Sequence, residues 1–139
     1  MSDDPTIERL RSVPIFATLQ DGELAAVANV AAPFDAERGH VLAEPHQPGS
    51  GMFVITEGSV EVDLPGGTTV TLGPGEFAGE LSILADVERS ARVRALVEVR
   101  GFAIARPAFE QLLREHPAIA VAMLPVLAKR LADLEARLG

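Results

Sequence analysis

The sequence predicts an α+β fold, mainly β, in the order helices, small antiparallel β structure, helices. Two observations carry this reading. Residues 33–105 are dense in glycine and proline, and between these breaks apolar residues recur at every second position. From 106 onward the apolar spacing changes to three and four, the period of a helix with one buried face.

The N-terminal part, to about residue 32, reads as short helical stretches. Asp21 is suited to cap the second of them, and Leu24 and Val27 share a face with Ala28 and Ala31 beside them. The middle part is punctuated at Pro33, Gly39, Pro45, Pro48-Gly49, Gly51, Gly58, Pro65-Gly66-Gly67, Gly73-Pro74-Gly75 and Gly101. Val60, Val62 and Leu64 alternate with Ser59, Glu61 and Asp63, which gives a strand with one buried and one wet face. Val93, Ala95, Val97 and Val99 repeat the alternation in a later strand. Many short strands with regular turn signals point to a sandwich, barrel or jelly roll.

The last part opens at Pro107, a residue tolerated in a first helical turn because the missing N–H has no partner there anyway. Phe109, Leu112 and Leu113 form its apolar face, and Pro117 closes this helix or opens the next. Leucines at 124, 127, 131, 134 and 138 then sustain a coiled-coil-like seam. Pro125 is expected to kink or delay that helix, since it lacks a donor and clashes one turn back. With no internal repeat and no linker, residues 1–139 read as one domain: helices over 1–32, β over 33–105, helices over 106–139.

Bulk composition narrows the function classes. At 139 residues the chain can bury a core, and 47% apolar with 23% charged residues is the balance of a globular protein. No apolar run is long enough for a membrane span, and the acidic start, MSDDPTIERL, lacks the order of a secretory signal. The cytoplasm is the expected compartment. Absent cysteines exclude disulfides and thiolate metal sites. A net charge of −8 argues against direct contact with nucleic acid, which requires a basic face to displace phosphate counterions. In so acidic a chain, an anion binds only where a local arrangement overrides the field.

One segment offers such an arrangement: Phe77-Ala78-Gly79-Glu80-Leu81-Ser82-Ile83-Leu84-Ala85-Asp86-Val87-Glu88-Arg89-Ser90-Ala91. It follows the Gly73-Pro74-Gly75 turn and ends at a predicted strand. Gly79-Glu80-Leu81 is expected to open one or two helical turns, whose first amides point outward unpaired and carry partial positive charge. Gly79 allows close approach of backbone to ligand, and Glu80 offers acceptor oxygens for a sugar hydroxyl. Arg89 presents a planar fork of donors for phosphate oxygens, Ser90 adds a hydroxyl, and small Ala91 leaves room.

These residues resemble the phosphate-binding cassette of cyclic-nucleotide-binding domains, found in catabolite-activator-type regulators, cyclic-nucleotide-dependent kinases and gated channels. The resemblance extends through Gly39-His40-Val41-Leu42, Met52-Phe53-Val54-Ile55, Gly58-Ser59-Val60-Glu61-Val62, Leu72-Gly73-Pro74-Gly75 and Ala128-Lys129-Arg130-Leu131. It implies an antiparallel β-roll (a jelly roll, or double-stranded β-helix) flanked by N-terminal helices and two C-terminal helices. It also implies a ligand, cyclic AMP in preference to cyclic GMP, and no cofactor. Glu80 would accept the ribose 2′-hydroxyl, and Arg89 would pair with the cyclic phosphate. Gly79, the amides of Leu81 and Ser82, Ser90 and Ala91 would complete the cradle. Arg130 and Leu134 are candidate base or lid contacts, with a solvated helix charge as the plainer reading of Arg130. Ser90 can also reach a guanine amino group in the syn base, so cyclic GMP stays open as the ligand.

The chain departs from the family in three places. Ala78 is small where a bulky residue is usual, His46 stands at a usual turn glycine, and Pro125 interrupts a helix that usually runs unbroken.

Other functions fare worse. A cupin-type metal enzyme also uses a small β-roll, but needs two or three histidines and a carboxylate on neighbouring strands. Here His40 and His46 flank Pro45, and His116 lies between helices. No Ser-His-Asp set or triphosphate loop can be assembled, so neither metal nor catalysis is expected. A transcription factor is not expected on this length, which leaves no stretch after the last helix for a helix-turn-helix, unless the sequence is a fragment of a longer protein that carries its output domain elsewhere. The remaining alternative is a family member that has lost its ligand and acts as an interaction or dimerisation module. The C-terminal leucines would then meet a second copy or another protein, or else cover the open end of the roll.

Overall fold

The computed structural model describes residues 5–43, 51–64, 66–79 and 91–138. Two four-stranded antiparallel sheets lie over one interior. The first runs in the order β1 (Ala31–Ala36), β8 (Val99–Ala105), β3 (Gly51–Glu57), β6 (Phe77–Ala78). The second runs β2 (Val41–Ala43), β7 (Arg92–Ala95), β4 (Val60–Asp63), β5 (Thr69–Leu72). Helices α1 (Pro5–Arg11) and α2 (Asp21–Val30) precede the roll, with a 3-10 turn at Pro14–Phe16 between them. Helices α3 (Arg106–Glu115) and α4 (Pro117–Leu138) follow it. This is the expected β-roll with flanking helices.

Strand alternation gives the first sheet two different faces. Met52, Val54, Phe77, Phe102 and Ile104 join one core with Leu10, Phe16, Leu24, Val27, Phe109, Leu112, Ile119 and Met123 from the helical layer. On the other face, Ala36, Ile55, Ala78 and Val99 meet Ala43, Val60, Leu72, Val93 and Ala95, closing the roll interior. Phe16, Phe77, Phe102 and Phe109 are fully buried in the helical core. Each contributes roughly 2–3 kcal/mol through removal of its ring from water.

Close backbone approach holds the first sheet together. A Cβ added at Gly101 would overlap the Val54 carbonyl oxygen, and one at Gly51 would overlap that of Ile104. Charge pairs bridge neighbouring strands: Arg94 lies opposite Glu61 in the ladder and meets it at 2.9 Å. Arg100 on β8 reaches Asp35 on β1 at 3.4 Å and Glu57 on β3 at 3.7 Å. These pairs are solvent-exposed and add little stability, but they match the strand register.

Three local expectations need correction. The alternation from Val93 to Val99 is not one strand. The chain leaves the second sheet after Ala95 and enters the first at Val99, and Val97 at the corner is 47% exposed. Periodicity of two continues across a bend as readily as along a strand. Asp21 does not cap α2; Gln20 does, with its N–H donating to the Glu23 carboxylate at 3.0 Å. The prolines need none: Pro117 opens α4, one of the two roles expected of it, and Pro125 lies inside that helix. Proline at 125 removes the partner of the Val121 carbonyl, and Val121 is 64% exposed, so water can take that place. The leucine seam is divided as well: Leu127 packs against the helical core, while Leu124 and Leu131 face outward at 62% and 57% exposure.

Candidate functional site

The segment 79–91 is set by what stands on either side of it. Before it, the predicted Gly73-Pro74-Gly75 turn forms, with the Glu76 N–H donating to Gly73 O at 3.1 Å and the Gly73 N–H to the Glu76 carboxylate at 3.0 Å. Gly75 adopts φ +86°, and its N–H donates to Ile55 O at 2.8 Å. A Cβ there would stand 3.0 Å from Cδ of Pro14, so the turn is also seated on the N-terminal helical layer.

The turn delivers the chain into β6, whose two residues face opposite ways. Phe77 enters the helical core and Ala78 the roll interior. Gly79 follows at φ +94°, a conformation that side chains disfavour, and turns the chain off the sheet. The chain returns at Ala91, half-buried, and enters β7 between β2 and β4, where Val93 faces the roll interior. The segment therefore leaves from one sheet and arrives on the other, anchored at both ends to the walls of the same interior. Those walls are rich in alanine: Ala36, Ala43, Ala78 and Ala95.

Glu80, Leu81, Ser82, Arg89 and Ser90, with the helical turns expected among them, lie outside the described residues, as does His46. Gly79 and Ala91 are placed at the departure and the return of the segment. Leu134, expected near the base, lies on the last turns of α4 and is 38% exposed. Among the described residues there is no group of three or more histidine and carboxylate side chains placed to hold a metal ion. No helix among them is long and apolar enough to cross a membrane.

Arg130 differs from the plainer expectation of a solvated charge. It is half-buried on α4, and its Nη2 donates to the Phe77 carbonyl at 2.7 Å. Its guanidinium carbon also lies 4.3 Å from the centre of the Phe77 ring. Sequence reasoning missed the Phe77 partner, although a signal was present. Ile119, Met123, Val126 and Leu127 form the core-facing stripe of α4, and the same period continues to position 130. An arginine on a buried stripe must find acceptors within the protein.

A family model for the cyclic nucleotide-binding domain matches residues 33–116. Over 129 residues the chain is 30% identical to a CRP-like cAMP-activated global transcriptional regulator of Mycobacterium tuberculosis, covering 89% of this chain and 58% of the regulator. The Thermus thermophilus catabolite activator protein superposes with a TM-score of 0.76 at 30% identity, covering 90% of this chain and 62% of that one. The regulatory subunit of a cAMP-independent protein kinase A from Trypanosoma cruzi, bound to guanosine, gives a TM-score of 0.74 at 26% identity, with 84% and 42% covered. The chain spans between 27% and 58% of the length of the first curated relatives it matches. On its fold and the family match, the chain belongs to the cyclic nucleotide-binding domain family.

Proposed function

We propose that this chain is a cytoplasmic sensor domain that binds cyclic AMP in the β-roll, does no chemistry on it, and answers by moving α4. The observation that carries the reading is that Ala78 and Val93, which flank residues 79–91, lie in the two walls of the alanine-rich roll interior, with Gly79 turning at φ +94° where the chain leaves β6. In this reading Arg89 and Ser90 neutralise and cradle the cyclic phosphate with the amides of Leu81 and Ser82. Glu80 takes the ribose 2′-hydroxyl, and Gly79 and Ala91 leave the space that backbone and ligand need. A cyclic phosphate is a single negative charge, and a guanidinium fork in a water-poor cradle is the group that offsets its desolvation. Ligand shifts α4 only by its preference for one arrangement of that helix.

The test is titration calorimetry of the purified chain with cyclic AMP, cyclic GMP and guanosine. Saturable heat with cyclic AMP, weaker with cyclic GMP and absent with guanosine, is the expected result. Guanosine is included because the Trypanosoma cruzi relative is bound to it. Preference for the nucleoside would overturn the phosphate-centred reading. Heat from none of the three would leave the interaction module.

A second reading concerns partners, and the surface of α4 supports it. Val121, Leu124, Ala128 and Leu131 form an exposed apolar stripe at heptad spacing. The charges of α4 (Lys129, Arg130 and Arg137 against Asp133 and Glu135) leave it slightly basic in an otherwise strongly acidic chain. Two copies can therefore approach along this helix with least repulsion. A homodimer through α4 is the association this surface favours.

A further inference from the structure

We propose that Arg130 is the positioning residue that pins α4 to the strand entering the nucleotide-binding segment, and that it marks where the docked part of α4 ends. The inference rests on the proposed function for its consequence, but not for its geometry. Three observations meet at this residue. Its Nη2 donates to the carbonyl of Phe77, the residue two positions before Gly79. Its guanidinium lies over the ring of the same Phe77, which is 1% exposed. Beyond it the burial of α4 stops: Ile119 and Met123 are buried, Val126 and Leu127 pack on the core, and every residue from Leu131 to Ala136 is exposed.

Both contacts are made between protein atoms. They fix α4 to β6 through a charge-assisted hydrogen bond and a cation–π contact, and each of these is stronger where water is partly excluded. Any shift of β6 that accompanies occupancy of the roll is transmitted to α4 at this point, because Phe77 and Ala78 are one strand with its two faces in two cores. The turns after Arg130 carry Leu131 and Leu134 outward and are the part left to move.

The experiment measures hydrogen exchange along α4 in the full chain, first without nucleotide, in wild type, Arg130→Ala, Arg130→Lys and Phe77→Leu. Arg130→Ala is expected to speed exchange of α4 amides by about tenfold or more, as loss of a charge-assisted bond implies. Exchange in β3 and β8 should stay within about twofold, which shows that the variant is folded. Arg130→Lys keeps a donor but cannot lie flat on the ring, so it should restore part of the protection. Phe77→Leu keeps the carbonyl and most of the apolar volume, and should give a smaller loss than Arg130→Ala. Unchanged α4 exchange in Arg130→Ala overturns the proposal.

A second arm measures dissociation of cyclic AMP and cyclic GMP. Arg130→Ala should release both faster by the same factor. A change of more than about threefold in their ratio would mean that Arg130 reads the base instead, and would also overturn the proposal. If neither nucleotide binds the wild type, the proposed function fails, and the exchange arm alone still decides the role of Arg130.

Discussion

Phe77 and Ala78 are neighbours in β6, yet they bury their side chains in different cores, Phe77 among the helices and Ala78 inside the roll. The strand is two residues long, so the two cores meet at its centre. A change on one face is felt on the other with almost no intervening structure to absorb it. That relationship ties Gly79, where the segment proposed to bind nucleotide begins, to the helical layer.

Phe77→Ala should cost about 3–5 kcal/mol of stability, the usual penalty for emptying a fully buried aromatic site. Phe77→Leu should cost much less, because most of the volume remains. Urea denaturation of the three proteins checks the order. Equal losses for the two variants would mean that the ring face, and not the volume, dominates.

Two glycines make a contrasting pair. Gly101→Ala places a methyl against the Val54 carbonyl and the Phe34 ring inside the β3–β8 ladder. It should destabilise by about 3 kcal/mol or more, since backbone cannot yield as a side chain does. Gly22 lies in the first turn of α2 with open space around it, and Gly22→Ala should be neutral or stabilising by up to about 1 kcal/mol. Thermal melts of both variants settle the comparison.

Dimerisation through α4 predicts that Leu131→Glu, on the exposed stripe, lowers the mass seen in light scattering to that of one chain. Sedimentation of wild type as a monomer at about 100 μM, well above the affinity of a modest interface, would remove the dimer reading.

Glu80→Gln should weaken cyclic AMP binding but leave 2′-deoxy cyclic AMP nearly unchanged, because a neutral amide is a poorer acceptor for the hydroxyl that the deoxy ligand lacks. Calorimetry with both ligands gives the comparison. Equal discrimination by wild type and variant would assign the ribose contact to another residue.

Much of this architecture could be read before the fold was known, and the particular failures have physical causes. Leu24, Val27, Phe109 and Leu112 were legible as buried because helix and core agree on the same period. The Gly73-Pro74-Gly75 turn was legible because few other residues tolerate its dihedrals. The corner at Val97 was not, since alternation carries no mark of which sheet a residue belongs to. Gln20 displaced Asp21 as the cap because helix ends shift by a residue with little change in local energy. For the site, sequence pattern supplied the segment and its two chemical groups, while the anchoring at Ala78 and Val93 and the grip of Arg130 on Phe77 come from tertiary contacts. No local spacing encodes these.

The most direct measurement is the affinity of Arg89→Ala for cyclic AMP, set beside its melting temperature without ligand. A loss of about 2–5 kcal/mol in binding is expected, the scale for breaking a desolvated charge pair, with the melting temperature nearly unchanged. An affinity within threefold of wild type would place the phosphate elsewhere and contradict the central claim.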